Sequence, residues 1–124
     1  FIMQALRNEP ISVFGDGSQT RSFCYVSDLV DGIYRLSQSS EPDPVNIGNP
    51  TEMSVLSFAE KIISLCESSS EIGFNDLPVD DPKVRQPDIG RARSILKWAP
   101  ETDLERGLVS TIRYFRGLMD QGRL

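Results

Sequence analysis

Histidine is absent from this 124-residue chain. No imidazole is therefore available as a general base, which excludes a Ser-His-Asp triad and a His-ligated zinc site. Cysteine is nearly absent too. Cys24 and Cys66 are too few for a disulfide framework or a four-thiolate metal site. They read as small buried apolar side chains, in keeping with a reducing compartment. No apolar run approaches the roughly 20 residues of a membrane helix, and the opening residues do not form a basic, apolar leader, so no membrane span or secretory leader is expected. Basic residues are in deficit: 13 Lys and Arg against 18 Asp and Glu leave a net charge of -5. Such a balance disfavours a phosphate backbone, and nucleic acid is not an expected partner.

The chain is 39% hydrophobic and 25% charged, as an ordinary soluble globular domain is, rather than a disordered or coiled-coil chain. Phe1, Ile2, Ala5 and Leu6 recur at helical spacing with no cap ahead of them, and Pro10 ends the run. That unstarted helix is expected of a chain cut from something longer. Ile11 to Phe14 reads as a short strand, Gly15-Asp16-Gly17-Ser18 as a tight turn, and Gln19 to Val26 as a second strand. Ser27 is expected to cap a helix whose stripe is Leu29, Ile33 and Leu36. After a Ser/Glu/Pro-rich loop at 37–44, Val45-Asn46-Ile47 reads as a strand closed by Gly48-Asn49-Pro50.

Ser54 is expected to cap a longer helix in which Val55, Phe58, Ala59, Ile62, Ile63 and Cys66 face one way. Glu71 to Phe74 is a weak strand, and 75–87 an irregular stretch rich in Pro and Asp. Asp88 can cap a short helix carrying Ala92, Ile95 and Leu96. Thr102 and Glu105 stand in capping-box spacing ahead of a helix repeating Leu104, Leu108, Ile112, Phe115 and Met119. Strands so few and short leave backbone donors unpaired unless other residues complete the sheet. The expected class is α/β, an α+β-like piece whose core is finished by another segment or another copy.

Gly15-Asp16-Gly17-Ser18-Gln19-Thr20 looks at first like a phosphate-binding glycine loop. Thr20 stands where the dinucleotide fingerprint needs its third glycine, and no Gly-Lys-Ser/Thr follows, so a hairpin turn is the simpler reading. Arg21, in the strand after the turn, can offer a planar fork of donors to a phosphate; a solvated strand-edge arginine is the alternative. Arg85 sits in Asp80-Asp81-Pro82-Lys83-Val84-Arg85-Gln86-Pro87-Asp88, a loop costly to order unless function or packing holds it. Two such cations converging on one diphosphate make a reasonable site, against a surface loop of mixed charge. Phe14 could stack on a flat base or simply pack in the core. Asp80 and Asp81 are adjacent on an extended segment and point apart, a poor arrangement for one shared proton or metal ion. No Tyr-x-x-x-Lys occurs: Tyr25, Tyr34 and Tyr114 are followed four positions later by Leu29, Gln38 and Leu118.

Together the run from Gly15 to Val30, Val45 to Pro50, Asp80 to Ile89 and Leu96-Lys97-Trp98-Ala99-Pro100 resembles the extended short-chain dehydrogenases that act on nucleotide-sugars. Within that NAD-dependent epimerase/dehydratase group the later run is most similar to the UDP-glucuronate decarboxylase (UDP-xylose synthase) family. Residues 1–124 resemble the C-terminal substrate-binding lobe, without the glycine-rich NAD loop, most of the Rossmann sheet, or the Tyr-x-x-x-Lys pair. The resemblance implies a parent carboxy-lyase in which tightly held NAD oxidises the sugar at C4, the resulting 4-keto sugar loses carbon dioxide, and the hydride returns from the reduced cofactor to the ketone to give UDP-xylose. It implies that Val13 and Phe14 line the uracil pocket and that Arg21 and Arg85 grip the diphosphate, with no catalytic, cofactor-binding or metal-binding residue in this segment. Phe14 stands where many relatives have Tyr, so stacking survives without a phenolic hydrogen bond. The segment alone is expected to be inactive, NAD being held by an absent N-terminal domain. A homodimeric cytoplasmic parent is expected (Golgi lumen for a eukaryotic one), and self-association of the segment through its exposed lobe surface. The open alternatives are an epimerase or 4,6-dehydratase, or a non-catalytic nucleotide-sugar-binding module.

Overall fold

A computed structural model describes residues 1–124. In chain order its elements are α1 (Ile2–Leu6), β1 (Ile11–Phe14), β2 (Thr20–Ser22), α2 (Val26–Ser37), β3 (Glu52–Ser54), α3 (Val55–Cys66), β4 (Ile72–Asn75), α4 (Gly90–Leu96) and α5 (Leu104–Asp120). Two small sheets result. β1 and β4 pair in parallel with Ile11 opposite Ile72 and Phe14 opposite Asn75, while β2 and β3 pair antiparallel with Arg21 opposite Met53. The mixed α/β class expected from the sequence is the class observed.

One hydrophobic core lies where α1, α3 and α5 meet β1, around Ala5, Ile11, Val13, Ala59, Ile62 and Leu108. The helical periodicities read at α3 and α5 supply it, with Ala59, Ile62 and Cys66 buried from one helix and Leu108 and Ile112 from the other. A second core gathers Ile89, Ala92, Leu96 and Trp98 under α2 and α4, with Leu36, Val45 and Ile47 packed against it. Ile95, expected on this face, is exposed instead.

Several local expectations yield to tertiary partners. Val26 opens α2 rather than extending β2, and the N-cap position is Tyr25, not Ser27. The strand expected at Val45–Ile47 does not form: no main-chain group of these residues is hydrogen bonded within the chain, because no neighbouring strand lies beside them. Alongside, Val26, Val30, Ile33 and Tyr34 form an exposed apolar stripe on α2. β3 was not expected; Glu-Met-Ser has little strand propensity and is a strand only because it pairs with β2. Thr102 and Glu105 do not form a capping box. Asp103 caps α5 by accepting from the Arg106 N–H at 2.8 Å, while Glu105 pairs with Lys61 at 2.8 Å. Ser54 caps α3 as expected, its hydroxyl accepting from the Ser57 N–H at 3.1 Å.

Candidate functional site

The glycine turn between β1 and β2 is built for packing. Gly15 and Gly17 both hold positive φ, and a Cβ on Gly17 would lie 2.8 Å from Leu56 Cβ and 3.0 Å from Val13 Cγ1. That leaves glycine as the residue that fits. The turn's carbonyls face the start of α3: Gly17 O accepts from the Leu56 N–H at 3.0 Å and Gln19 O from the Val55 N–H at 2.9 Å. With Ser57 N–H taken by Ser54, the free donors of the first turn of α3 are consumed. The N-terminal end of α3 is therefore not left to bind a phosphate.

Asp16 shapes the same turn. Its carboxylate accepts from the Ser18 hydroxyl at 2.6 Å and the Ser18 N–H at 2.9 Å, and these bonds hold its pKa below the ordinary carboxylate value. The buried Gln19 amide donates to Phe14 O at 2.7 Å and so ties the end of β1 to the start of β2.

Three segments converge beyond the turn. The long 76–88 loop runs back along β2, where the Thr20 N–H donates to Lys83 O at 2.9 Å. Arg21, opposite Met53, fastens the same loop with its guanidinium: Nη1 donates to Pro82 O at 2.9 Å and to its neighbour Thr20 O at 2.7 Å, and Nη2 pairs with Asp81 at 2.5 Å. Farther along, the Gln86 amide donates to Pro50 O at 2.8 Å. The loop is thus a fastened strap: Lys83 is bonded to the strand that bears Arg21, and the exposed Arg85 follows two residues later, just before the Gln86 fastening. One residue past Arg21, the Ser22 hydroxyl is buried with no hydrogen-bond partner.

Arg21 also reaches the wall of an apolar cleft of about 470 Å³, lined by Phe23, Val55 and Phe58 together with the first residues of α1. Phe23 stacks on Phe58 with centroids 3.7 Å apart and planes at 9°, which fixes the end of β2 against α3.

Among the residues singled out from the sequence, Arg21 and the Arg85 segment are brought side by side. Phe14 ends β1 with 45% of its surface exposed, next to the Gly15 N–H that donates to Asn75 O. Val13, one residue earlier, has its side chain fully buried in the main core. Asp81 was missed as a partner of Arg21; sixty residues separate the two, and no local pattern signals such a contact. No group of three or more Cys, Asp or Glu converges as a cation cage. Both cysteines are free thiols whose pKa is pushed up, chiefly by burial.

Residues 1–48 match the model of the NAD dependent epimerase/dehydratase family. A UDP-glucuronic acid decarboxylase 1 from Danio rerio is 51% identical over 115 residues, 93% of this chain. UDP-glucuronic acid decarboxylase 3 from Arabidopsis thaliana is 47% identical over 108 residues, 87% of the chain. The chain is thus similar to UDP-glucuronic acid decarboxylases over most of its own length, and over its first 48 residues to the NAD dependent epimerase/dehydratase family. It spans 28% of the length of the Danio rerio relative and 32% of the Arabidopsis thaliana one. Its fold is that of part of solved UDP-sugar epimerases. UDP-glucuronic acid 4-epimerase from Bacillus cereus, in complex with UDP-glucuronic acid and NAD, superposes with a TM-score of 0.87 at 28% identity over 94% of this chain and 38% of its own. UDP-glucose 4-epimerase from Thermotoga maritima, with UDP-glucose, does so with a TM-score of 0.90 at 26% identity over 95% of this chain and 38% of its own.

NAD is the cofactor in the family's name, yet the residues of this chain do not fit it. The Gly15-x-Gly17 turn joins β1 to β2 and opens no helix, its glycines face Leu77 and Leu56, and Thr20 stands in place of the third glycine.

Proposed function

We propose that this chain is the UDP-sugar-binding part of a UDP-glucuronic acid decarboxylase, the enzyme that releases carbon dioxide from UDP-glucuronate to give UDP-xylose. NAD and the proton-transfer groups belong to residues outside 1–124, and the chain's own task is to hold and orient the nucleotide. Arg21 on β2 and Arg85 on the strap bind the diphosphate, and Phe14 at the end of β1 stacks on the uracil. Gripping the non-reacting end of the substrate positions the sugar, which is how remote binding energy serves catalysis.

The observation that carries this reading is the bond from Thr20 N–H to Lys83 O, which lays the Arg85 strap along the Arg21 strand. The higher identity to decarboxylases, 51% against 28% for the solved 4-epimerase, favours decarboxylation over epimerisation. The reading also accounts for two unfinished surfaces, the unpaired Val45–Ile47 segment and the apolar stripe on α2. A cofactor-binding domain supplying a strand and a sheet face would cover both.

Titration calorimetry of the full-length protein with UDP tests the site. Arg21→Ala and Arg85→Ala should each weaken binding by roughly 1.5–3 kcal/mol, the range for hydrogen bonds to a charged partner. Unchanged affinity in both variants removes them from the site. The purified 124-residue chain, given UDP-glucuronate and NAD, should release no UDP-xylose; product from it would place catalytic groups within these residues.

A further inference from the structure

The diphosphate grip proposed for Arg21 meets a carboxylate already in place. Of the five guanidinium donors, two go to the main-chain carbonyls of Thr20 and Pro82 and one to Asp81. The carbonyl contacts orient the group, and the Asp81 contact alone neutralises it. Both partners are largely shielded, with 20% and 24% of their side chains exposed, so the pair is less screened than an ordinary surface ion pair. We infer that Asp81 occupies Arg21 as an internal stand-in for the substrate's diphosphate, and that the turn carrying Asp81 must swing away when a nucleoside diphosphate binds.

This deepens the proposed function and rests on its assignment of Arg21. Asp81 ends a tight turn in which its own N–H donates to Pro78 O at 3.2 Å, and Pro78 and Pro82 bracket that turn. Fixed φ at both prolines favours motion of the turn as a unit. Val79 at its tip is fully exposed, so no packing holds the tip down. On the far side, the Thr20–Lys83 bond keeps the strap fastened. Residues 78–81 can therefore move while Pro82 O keeps Arg21 oriented and Lys83 stays bonded to β2. Besides Asp81, the strap carries Asp76, Asp80 and Asp88 against Lys83 and Arg85, but of these only Asp81 pairs with Arg21. An arriving diphosphate replaces one anion on Arg21 with another, and binding is weaker by the cost of that exchange.

UDP affinity of the full-length protein, measured by calorimetry for Asp81→Asn, Arg21→Ala and the double variant, tests this. Asp81→Asn should tighten UDP binding about threefold to tenfold, as expected for removing one partly shielded competing ion pair. In the Arg21→Ala background the same change should have no effect, because the competition needs the guanidinium. Asp80→Asn, the same charge one position earlier, should change affinity less than Asp81→Asn. Unchanged or weaker binding by Asp81→Asn, with Arg21→Ala impaired, overturns the stand-in role and leaves the site intact. An equal gain from Asp80→Asn reduces the effect to general charge and overturns it as well. Unimpaired Arg21→Ala overturns the diphosphate site itself. Asp81→Ser serves in place of Asp81→Asn if the latter does not fold.

Discussion

Asp28, in the first turn of α2, holds Thr102, which lies 74 residues away just ahead of α5. Its carboxylate accepts from the Thr102 N–H at 2.8 Å, the Thr102 hydroxyl at 3.0 Å and the Glu101 N–H at 3.2 Å. Its carbonyl accepts from the indole of Trp98 at 3.0 Å. The residue thereby joins the two hydrophobic cores. Asp28→Ala should cost roughly 2–3 kcal/mol of stability, because two main-chain donors and a hydroxyl lose a charged acceptor at once. Thr102→Val, which removes one of these bonds, should cost about 1 kcal/mol. Urea unfolding of both variants checks the ratio; equal losses would show that the carboxylate has no role beyond the hydroxyl.

Gly32 and Gly117 are both interior to helices, yet alanine should act in opposite directions at the two. Helix propensity favours Ala over Gly by about 0.8–1 kcal/mol at either site. At Gly117 a Cβ meets nothing within 4 Å, so Gly117→Ala should stabilise by about that amount. At Gly32 a Cβ would lie 2.5 Å from Ile47 Cγ2 and 3.0 Å from Trp98 Cε2. Trp98 is buried and pinned through its indole N–H to Asp28 O, so it cannot move aside. Overpacking of roughly 1–3 kcal/mol should therefore outweigh propensity, and Gly32→Ala should lower the melting temperature. A rise in melting temperature for Gly32→Ala would mean that α2 slides freely over Trp98.

What was legible in the sequence followed from how local each cause is. The apolar faces of α3 and α5 repeat within single helices and were read from spacing alone, as was the Ser54 cap, whose partner is three residues away. Elements set by distant partners were not. β3 exists through β2, Val45–Ile47 lacks a partner within the chain, and the hydroxyl of Thr102 goes to Asp28 in place of its own helix. The candidate site divides the same way. Arg21 stood out as a planar fork of donors in the strand after the turn and Arg85 as a cation in a loop costly to order, whereas Asp81 against Arg21 and Gln19 against Phe14 O are contacts that side-chain chemistry permits and the fold alone selects.

Asp16 should titrate below the ordinary carboxylate range, and Ser18 is the reason. The Ser18 hydroxyl and then its N–H bond the ionised form, so the folded-state pKa lies below the unfolded one. By linkage the ionised carboxylate stabilises the turn at pH above its unfolded value, and this contribution is lost as pH falls through the lowered folded value. Ser18→Ala removes the larger of the two bonds and should bring the Asp16 pKa back up towards the ordinary value. Carboxyl-carbon NMR titration of both proteins reads it directly; the same low midpoint in Ser18→Ala would assign the shift to the main chain instead.

If the proposed site holds, Phe14 is where recognition of the base parts from recognition of the phosphates. It ends β1 half exposed, its carbonyl held by Gln19 and its side chain free of any aromatic neighbour, while Val13 beside it is sealed in the core. A ring so placed offers one face to a flat ligand, and stacking on a base is worth about 1–3 kcal/mol on truncation to alanine. Phe14→Ala in the full-length protein should weaken UDP by that amount and leave inorganic pyrophosphate unaffected. Phe14→Tyr, which keeps the ring, should bind UDP about as well as the parent. Arg21→Ala should weaken both ligands, because the guanidinium meets only the charge they share. Competition calorimetry with UDP and pyrophosphate distinguishes the two roles, and equal loss of both ligands in Phe14→Ala would move the uracil away from β1.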